Sequence, residues 1–501
     1  MKRILCMLLT LLMLISCVGV LGACKKKDAE EETRETVELP ETDAWGRELI
    51  VSPLDSSLYY EGETAVVLSR DEWASIGQFV AHDSDSDVIR DSVIKRNGMI
   101  TERLGVEIRN LPVKGGSWNA NLNEYIRTTV LAGSAEYDMI ANFAYYGSAL
   151  AMEGYYYDLG KLDHLHLDQP WWNQDYIEQS VLNERMYMVV NDACLLALRY
   201  TMVTFFHKSL AENWLTDVNL YEVVDNDEWT LEYFIEALRG IYQDRNGSEV
   251  DQEDLFGMIT STSTQNMDGF FAGLGLRACT FNEESGLPEL SIHNDLTIGC
   301  FDMMRSMLFE NDGVYVIGTT TDDYRLAVNA FAEGCSVFST GQLDNGGMLV
   351  STMEEKFGIL PMPKLSAEDP YTTTPQDAYD ILTLPASMAS KQSRAQMLGA
   401  VMEYMAYSSY LTVKPGYFET ITKLRYSADS EDARMFDLIS ENIIFDFGMI
   451  YSSSIKGAGI HLGHFWRSLY QGDVKNFVSF YDKHASSYAI QLSTVIDLLM
   501  E

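Results

Sequence analysis

Carboxylates are the most abundant reactive side chains in this sequence, which has 74 Asp and Glu residues against 36 Lys and Arg residues. Two carboxyl groups at a suitable separation can hydrolyse a glycosidic bond, so an acid-rich chain always offers candidate pairs. None of these carboxylates lies in a recognisable motif, and the sequence has no G-x-S-x-G elbow, H-E-x-x-H zinc helix or Walker loop. We therefore predict no catalytic residues and a protein that is not an enzyme.

Histidine pairs are a second group whose spacing could serve chemistry, because two imidazoles close in sequence can bind a metal ion. The chain contains two such pairs, His164-x-His166 and His461-x-x-His464. Each lacks cysteine or further ligands nearby, which favours surface or helix-capping histidines. We predict no metal site from these residues.

Charge and length limit the classes of function. The formal net charge is -38 over 501 residues, which disfavours binding to nucleic acid phosphates or to an anionic membrane surface. The roughly 440 residues that follow the N-terminal segment are too many for one ordinary core, so two lobes or domains are expected. With 47% apolar residues, the chain has enough apolar surface to fold.

Four cysteines follow the N-terminal segment without a close pair at metal-ligand spacing, namely Cys194, Cys279, Cys300 and Cys335. An exported protein could form disulfides from them. Their apolar neighbours suit buried free thiols equally well, and pairing cannot be deduced from sequence. Both alternatives stay open.

Strands alternate with helices along the chain. Short β-branched and apolar runs predict strands, and apolar residues at helical spacing predict helices. The predicted strands are 64–69, 106–111, 137–143, 201–207, 255–260, 331–340, 357–360 and 379–384, and the predicted helices are 88–104, 119–132, 230–242 and 393–407. Such alternation implies parallel βαβ units, in which the loops at the carboxyl ends of the strands face a ligand.

Seven short motifs occur in a characteristic order: EYDMI at 136–140, YDL at 157–159, PWWN at 170–173, TMVTFFHK at 201–208, WTLEYF at 229–234, FAEGC at 331–335 and GILPMP at 358–363. From Ala65 to about Leu499 the chain resembles the extracellular solute-binding proteins of ABC importers, specifically the large sugar-binding family of Gram-positive bacteria. The resemblance implies an α/β, two-lobe periplasmic-binding-protein-like fold with crossover hinge strands and a ligand cleft between the lobes.

The same resemblance suggests lobe boundaries. The expected N-lobe comprises 61–200 and 337–385, and the expected C-lobe comprises 201–336 and 386–501. By analogy with the family, the chain crosses between lobes near Tyr200, Ser336 and Pro385.

The first residues have the order of a secretory signal, with a charged start and an apolar run that ends in Ala23. The sequence LGAC at 21–24 resembles a bacterial lipoprotein box, in which Cys24 accepts the lipid. A competing box ends in Cys17, and an uncleaved transmembrane anchor is a further alternative. We predict a signal peptide over 1–23, lipidation of Cys24, and a flexible acidic tether over 24–60.

The resemblance implies a saccharide ligand, and sugar recognition needs flat apolar faces together with planar polar groups. Candidate ligand-binding residues follow predicted strands or flank predicted crossings: Arg70, Glu72, Trp73, Tyr145, Tyr146, Arg199, Gln265, Gln342, Tyr379 and Asp380. Ordinary loop or core packing is the alternative for each of them. We expect a minority of the set to contact ligand.

One loop resembles a calcium loop that some sugar-binding members carry after the same helix. Its oxygen-bearing side chains are Asp244, Asn246, Ser248 and Asp251. The loop is one residue short, and Glu249 replaces the glycine that takes the sharp turn. A plain Asn-Gly turn is favoured, so no cofactor is required and calcium remains a weak alternative.

The expected function is therefore the lipid-anchored solute-binding component of an ABC importer, located extracellularly on the outer face of the cytoplasmic membrane. It would capture a carbohydrate, in the first place an oligosaccharide, by hinge closure. The expected partners are the carbohydrate, the importer's permease subunits and the membrane through the lipid anchor, with no nucleic acid and a monomeric state. The alternatives are a secreted carbohydrate-active enzyme or a surface adhesion lipoprotein.

Overall fold

The computed structural model describes residues 50–114, 121–134, 136–423, 430–452, 464–472 and 474–500. The predicted signal peptide, the predicted lipidation site Cys24, the competing Cys17 and the tether up to residue 49 lie outside the described residues. Residues from Ser52 onward belong to one compact unit.

The strands follow the apolar runs of the sequence. They are β1 (Glu63–Arg70), β2 (Val106–Val113), β3 (Met139–Phe143), β4 (Met202–His207), β5 (Tyr242–Gln243), β6 (Leu255–Thr260), β7 (Cys279–Phe281), β8 (Pro288–Leu290), β9 (Val314–Val316), β10 (Ser336–Gln342), β11 (Phe357–Leu360) and β12 (Asp380–Thr383). Every residue of β3, β4, β6, β11 and β12 is buried. Continuous burial indicates strands that are covered on both faces, as in α/β proteins.

The helices cover the sheets and connect the strands. They are α1 (Trp73–Gly77), α2 (Asp87–Leu104), α3 (Asn121–Leu131), α4 (Ala144–Met152), α5 (Gln174–Ser180), α6 (Leu195–Arg199), α7 (Lys208–Trp214), α8 (Leu220–Asp225), α9 (Leu231–Leu238), α10 (Thr264–Gly273), α11 (Asp295–Glu310), α12 (Thr321–Ala332), α13 (Asn345–Thr352), α14 (Gln392–Leu411), α15 (Val413–Lys423), α16 (Ser430–Glu441), α17 (Phe447–Ile450), α18 (Phe465–Gln471) and α19 (Phe477–Met500). Short 3-10 turns lie at Leu159–Lys161 and Ala386–Ser390. Among the described residues, none of the helices combines the length and the apolar character that crossing a bilayer requires.

The first sheet has the strand order β12-β3-β1-β2. Strand β1 runs parallel to β2 and β3, whereas β12 runs antiparallel to β3 with Asp380 opposite Phe143. Arg70 ends β1, so the carboxyl end of β1, the carboxyl end of β3 and the start of β12 share one edge of the sheet.

The second sheet has the order β11-β4-β10-β6-β5, and β9 also pairs with β6. Strand β10 runs parallel to β6 and antiparallel to β4, which places Gln342 opposite Met202. The carboxyl ends of β6 and β10 therefore lie at the same edge as the start of β4. A separate two-stranded sheet joins β7 and β8.

Two predicted elements end earlier or start later than expected by at least four residues. The helix predicted over 230–242 stops at Leu238, and the following Gly240 has a φ of 73° that right-handed helices do not use. The strand predicted over 331–340 starts at Ser336, because its first residues complete α12, which ends before Gly334 with a φ of 73°. Both corrections come from glycines that terminate helices.

The predicted tether extends too far at its C-terminal end. Arg103 donates hydrogen bonds to the carbonyl oxygens of Asp55 and Leu58 at 2.7 and 2.8 Å, and the amide of Tyr60 donates to Leu104 O at 2.7 Å. The end of a helix leaves carbonyl groups that need donors, and residues 54–60 dock on the C-terminal end of α2.

Sheet pairing differs from the predicted lobe boundaries in two segments. Strands β10 and β11 pair with β4 in the second sheet, although 337–385 was expected in the N-lobe. Helix α14 packs on α2 beside the first sheet, although 386–501 was expected in the C-lobe. The chain stays with the same sheet at Ser336 and at Pro385, the positions near which two of the crossings are predicted. The lobe boundaries as a whole stay a prediction.

Candidate functional site

Connecting segments of the chain run side by side where it passes from one sheet to the other. The amide of Gln376 donates to Tyr200 O at 2.9 Å, and the amide of Met202 donates to Thr374 O at 3.1 Å. The amide of Leu343 donates to Thr201 O at 2.8 Å. The predicted crossing near Tyr200 is thus a hydrogen-bonded bundle of connections, and the second crossing lies between β11 and β12.

Trp73 and Arg199 form the first contact between the predicted ligand residues. The Arg199 guanidinium lies 4.7 Å from the Trp73 ring centroid, a cation–π distance. Arg199 also pairs with Asp344 at 2.8 Å and approaches Asp85 at 3.6 Å. We call these four residues the Trp73 cluster. Because Trp73 is still 40% exposed, part of its indole remains accessible beside the buried guanidinium.

Arg70 and Asp380 form a buried ion pair at the edge of the first sheet, with an N–O distance of 2.8 Å. Arg70 donates to Ala378 O at 3.0 Å, and Asp380 accepts from Gln78 at 2.8 Å. Both side chains are buried, and removing one partner of such a pair is strongly destabilising. A direct ligand contact by either residue stays a prediction.

A second group of residues, the Tyr145 cluster, joins the two sheets through Arg467. This arginine binds Asp268 of α10 in a bidentate ion pair and also contacts Asp377 at 2.9 Å. Asp377 in turn accepts a backbone hydrogen bond from Tyr145, directly after β3. The Tyr145 ring stacks on His464 with a centroid distance of 5.2 Å and an interplanar angle of 10°. The cluster comprises Tyr145, His464, Asp377, Arg467 and Asp268.

Electrostatics keep the cluster's tyrosine neutral and its arginine charged. Burial, followed by the nearby Asp377, raises the pKa of Tyr145 to about 12, so its phenol remains a hydrogen-bond donor at neutral pH. The attraction of Asp268 and Asp377 holds the pKa of Arg467 above its usual range although burial opposes it. Burial raises the pKa of Asp268 to about 6, and the neighbouring Arg467 guanidinium opposes the shift.

The segment after β6 and the first turn of α10 carry buried polar atoms that lack partners among the described residues. Gln265 Oε1, Ser263 Oγ and Asn266 Oδ1 accept no hydrogen bond from any described group. Gln265 is only 4% exposed, and an unsatisfied buried oxygen costs about 1 to 3 kcal/mol. An incoming donor, from water or a ligand, would remove that cost. Nearby, Gln342 donates to Gln376 at 2.6 Å across the connecting segments.

No protein-family model and no curated protein sequence matches the chain. Solved structures do match its fold over most of its length. UspC of M. tuberculosis is 15% identical with a TM-score of 0.54, over 85% of this chain and 99% of that chain. UgpB from Mycobacterium tuberculosis, solved with glycerophosphocholine, is 14% identical with a TM-score of 0.54, over 87% of this chain and 99% of that chain.

A third similar structure is the GacH receptor of Streptomyces glaucescens, solved unliganded and in complex with acarbose. It is 12% identical with a TM-score of 0.51, over 88% of this chain and 100% of that chain. At such identities the similarity bears on the fold alone. It confirms the predicted α/β fold class, with two mixed sheets as in periplasmic-binding-protein-like solute-binding proteins.

The predicted ligand residues fall into two sets by exposure. Those with partly exposed side chains are Glu72, Trp73, Tyr145, Tyr146 and Gln342. Those with buried side chains are Arg70, Arg199, Gln265, Tyr379 and Asp380. Tyr379 packs its ring edge-on against Phe445 at 5.4 Å, as a core residue would. A ligand role for each residue stays a prediction.

Sequence reasoning missed Asp268, Asp377, Arg467 and His464. Arg467 lies in the short helix α18 beside the buried Trp466. The ion pairs of Arg467 span 199 and 90 residues of sequence. Local sequence patterns do not predict ion pairs between residues so far apart. Asp268 offered a weak signal, since it belongs to the polar segment that follows β6.

The candidate calcium loop is a hydrogen-bonded turn. Asp244 accepts from the amide of Gly247 at 2.6 Å, and Asn246 donates to Asp251 at 3.3 Å. Gly247 has a φ of 69°, the left-handed conformation that glycine adopts freely. Among the described residues there is no group of three or more His, Cys, Asp or Glu side chains placed to hold a metal ion. Calcium binding by this loop remains a weak alternative.

The four internal cysteines are free and buried.

Proposed function

We propose that this protein is the solute-binding component of an ABC importer and that it captures a carbohydrate between its two sheets. The observation that carries the proposal is the Tyr145 cluster, which sets an aromatic ring among buried polar side chains where the facing edges of the two sheets meet. The fold supports the proposal only as an analogy, because one fold hosts many functions.

The chemistry of the site suits a polyhydroxylated solute. The rings of Trp73, Tyr145 and Tyr146 are partly exposed and offer flat apolar surface for the C–H faces of a sugar. Gln265 and Asp377 each have a buried oxygen without a partner among the described groups, ready to accept from a hydroxyl. Such a mixture of apolar faces and a few fixed polar groups is typical of small-molecule sites.

Capture would be coupled to closure of the two sheets around the crossing segments. A solute held between two bodies makes contacts in the closed state that the open state lacks, and only this difference can shift the equilibrium. Arg467 contacts both Asp268 beside the second sheet and Asp377 beside the first. This bridge would form and break with closure.

The binding test is a thermal-shift screen of the chain from Ser52 to Glu501 against a saccharide library, followed by calorimetry on the hits. A ligand at 100 times its Kd raises the free energy of unfolding by about 2.7 kcal/mol. Small-angle scattering of the complex should give a smaller radius of gyration than the free protein. A ligand returned chemically unchanged supports transport, whereas turnover supports a carbohydrate-active enzyme. Affinity only for cell-wall or host polymer supports an adhesion protein.

The membrane anchor is a separate part of the proposal and rests on the sequence at 21–24. Lipidated Cys24 would hold the protein on the outer face of the cytoplasmic membrane, within reach of the permease subunits. Replacing Cys24 by Ser should release the protein into the medium. Retention of Cys24→Ser on the membrane, with release of Cys17→Ser, would contradict the assignment.

A further inference from the structure

Three buried arginines at the facing edges of the two sheets each pair with two carboxylates. The groups are Arg70 with Glu72 and Asp380, Arg199 with Asp85 and Asp344, and Arg467 with Asp268 and Asp377. Each group carries one formal positive charge against two formal negative charges. Every arginine in these groups is thus more than neutralised by its own partners.

The guanidinium groups are buried and already ion-paired, and Arg70 Nε is a donor without a hydrogen-bond partner among the described residues. Arg70, Arg199 and Arg467 are 2%, 5% and 6% exposed. Arg467 directs Nε and Nη2 to Asp268, and Nη2 also contacts Asp377. A bidentate arginine that is already held by a carboxylate would have to give up charge-assisted hydrogen bonds to bind another anion.

Short contacts connect the three groups along the edge. Arg70 donates to the carbonyl of Ala378, the neighbour of Asp377 in the Arg467 group. Arg199 lies over the ring of Trp73, the neighbour of Glu72 in the Arg70 group. Because the groups adjoin one another, their surplus negative charges act on the same space and are screened less than exposed charges would be.

We infer that the site selects against anionic saccharides and takes uncharged or amino-bearing ones. The inference rests on the proposed function and narrows its ligand class. A uronic acid or sugar phosphate would have to approach a region that already carries surplus negative formal charge, and juxtaposed like charges at an interface are unfavourable. The net charge of -38 adds long-range repulsion of anions. A protonated amino sugar meets attraction instead.

The test compares three classes of saccharide by calorimetry at low and at physiological salt. The probes are cellotetraose and the N-acetylglucosamine tetramer as neutral ligands, the glucosamine tetramer as a cation, and the β-1,4-glucuronic acid tetramer as an anion, with maltotetraose and its 6-phosphate as a second matched pair. We expect each anion to bind at least about tenfold more weakly than its neutral counterpart. The difference should shrink as salt is added.

A charge variant links the selectivity to the carboxylates. Asp377→Asn removes one negative charge from the Arg467 group and should narrow the ratio of neutral to anionic affinity by about threefold. The control is Asp225→Asn, since Asp225 pairs with Arg434 at 2.6 Å on the exposed surface and should leave the ratio unchanged.

Three outcomes distinguish the claims. Hits confined to neutral and amino saccharides support the inference. An anion that binds more tightly than its neutral partner overturns it and leaves the proposed function standing. If no saccharide of any charge binds, the proposed function fails and the selectivity fails with it.

Discussion

Two regions of this molecule contain tryptophan beside charged side chains, and they differ in how completely their polar atoms are satisfied. Trp171 and Trp172 are buried, and their indole nitrogens donate to Glu403 at 2.9 and 3.0 Å. Trp73 is 40% exposed, and its ring rests on the guanidinium of Arg199. The same residue types therefore form a buried hydrogen-bonded group at Glu403 and a partly solvent-exposed group at Trp73.

The number of polar atoms that lack a hydrogen-bond partner indicates which of the two regions can bind a solute. Glu403 also accepts from the amide of His166 at 3.0 Å, so its two oxygens serve three donors. Burial raises the pKa of Glu403, and these donors oppose the shift. At the edges of the sheets, by contrast, oxygens of Gln265 and Asp377 have no partner among the described residues. A carboxylate whose two oxygens already have donors stabilises the fold, and a region with open acceptors can hold a solute.

The largest expected effect comes from removing the Glu403 carboxylate. Glu403→Ala should lower the free energy of unfolding by about 4 kcal/mol, because two indole donors and a backbone amide would remain in the core without an acceptor. Urea denaturation followed by tryptophan fluorescence measures it. Glu153→Ala, which removes the exposed partner of Arg127, is the control and should cost at most about 1 kcal/mol. Equal costs for the two variants would contradict the comparison.

Removing Arg467, which contacts carboxylates beside both sheets, should lower the free energy of unfolding somewhat less than Glu403→Ala does. Arg467→Met leaves Asp268 buried without its partner and should lower the free energy of unfolding by about 3 kcal/mol. Saccharide affinity should fall as well, since the bridge belongs to the proposed site. The matched control is Arg434→Met, because Arg434 pairs with Asp225 on the surface and should cost at most about 1 kcal/mol. A stable Arg467→Met protein with normal affinity would remove Arg467 from the account.

Truncating the exposed Trp73 should affect saccharide affinity more than the free energy of unfolding. Trp73→Ala removes a stacking face and should weaken saccharide binding by roughly 1 to 3 kcal/mol, or about five- to 150-fold. Its cost in unfolding free energy should stay far below the 3 to 5 kcal/mol or so of a core tryptophan. Trp214 is 37% exposed on α7, so Trp214→Ala is a control of equal exposure and should leave affinity unchanged. Equal affinity for both variants would place Trp73 outside the site.

The smallest effect is expected from metal removal. The acidic loop around Asp244 satisfies its side chains with its own backbone, as the 2.6 Å bond from the amide of Gly247 illustrates. Chelation should therefore leave the melting temperature unchanged. A large drop that calcium reverses would instead make this loop a structural calcium site.

Local patterns predicted most of the fold. Strands β6 and β11 have the predicted boundaries, and α2 differs from its prediction by one residue. These elements follow from apolar periodicity, which is a property of neighbouring residues. The docking of 54–60 on α2 and the sheet membership of β10 and β11 could not be predicted in this way, because they depend on contacts between distant segments.

The candidate site was predictable in part for the same reason. Trp73, Tyr145 and Gln265 follow the ends of β1, β3 and β6 within five residues, on the side where a parallel sheet binds ligands, and position along the chain was enough to find them. Arg467 lies in helix α18 and Asp377 lies three residues before β12, and the contact between them spans 90 residues of sequence, so no local pattern indicates it. Arg70 and Asp380 follow the positional rule but are engaged in a buried pair with each other.

The central claim is that the Tyr145 cluster between the two sheets binds a saccharide. Its most direct test is titration calorimetry of the tightest saccharide from the screen against the parent protein, Tyr145→Ala and Tyr242→Ala. Tyr242 is a control on β5 at the far end of the second sheet, where its ring is exposed. The account predicts that Tyr145→Ala binds at least about tenfold more weakly, while Tyr242→Ala binds like the parent. Equal affinity of all three proteins for the saccharide would contradict it.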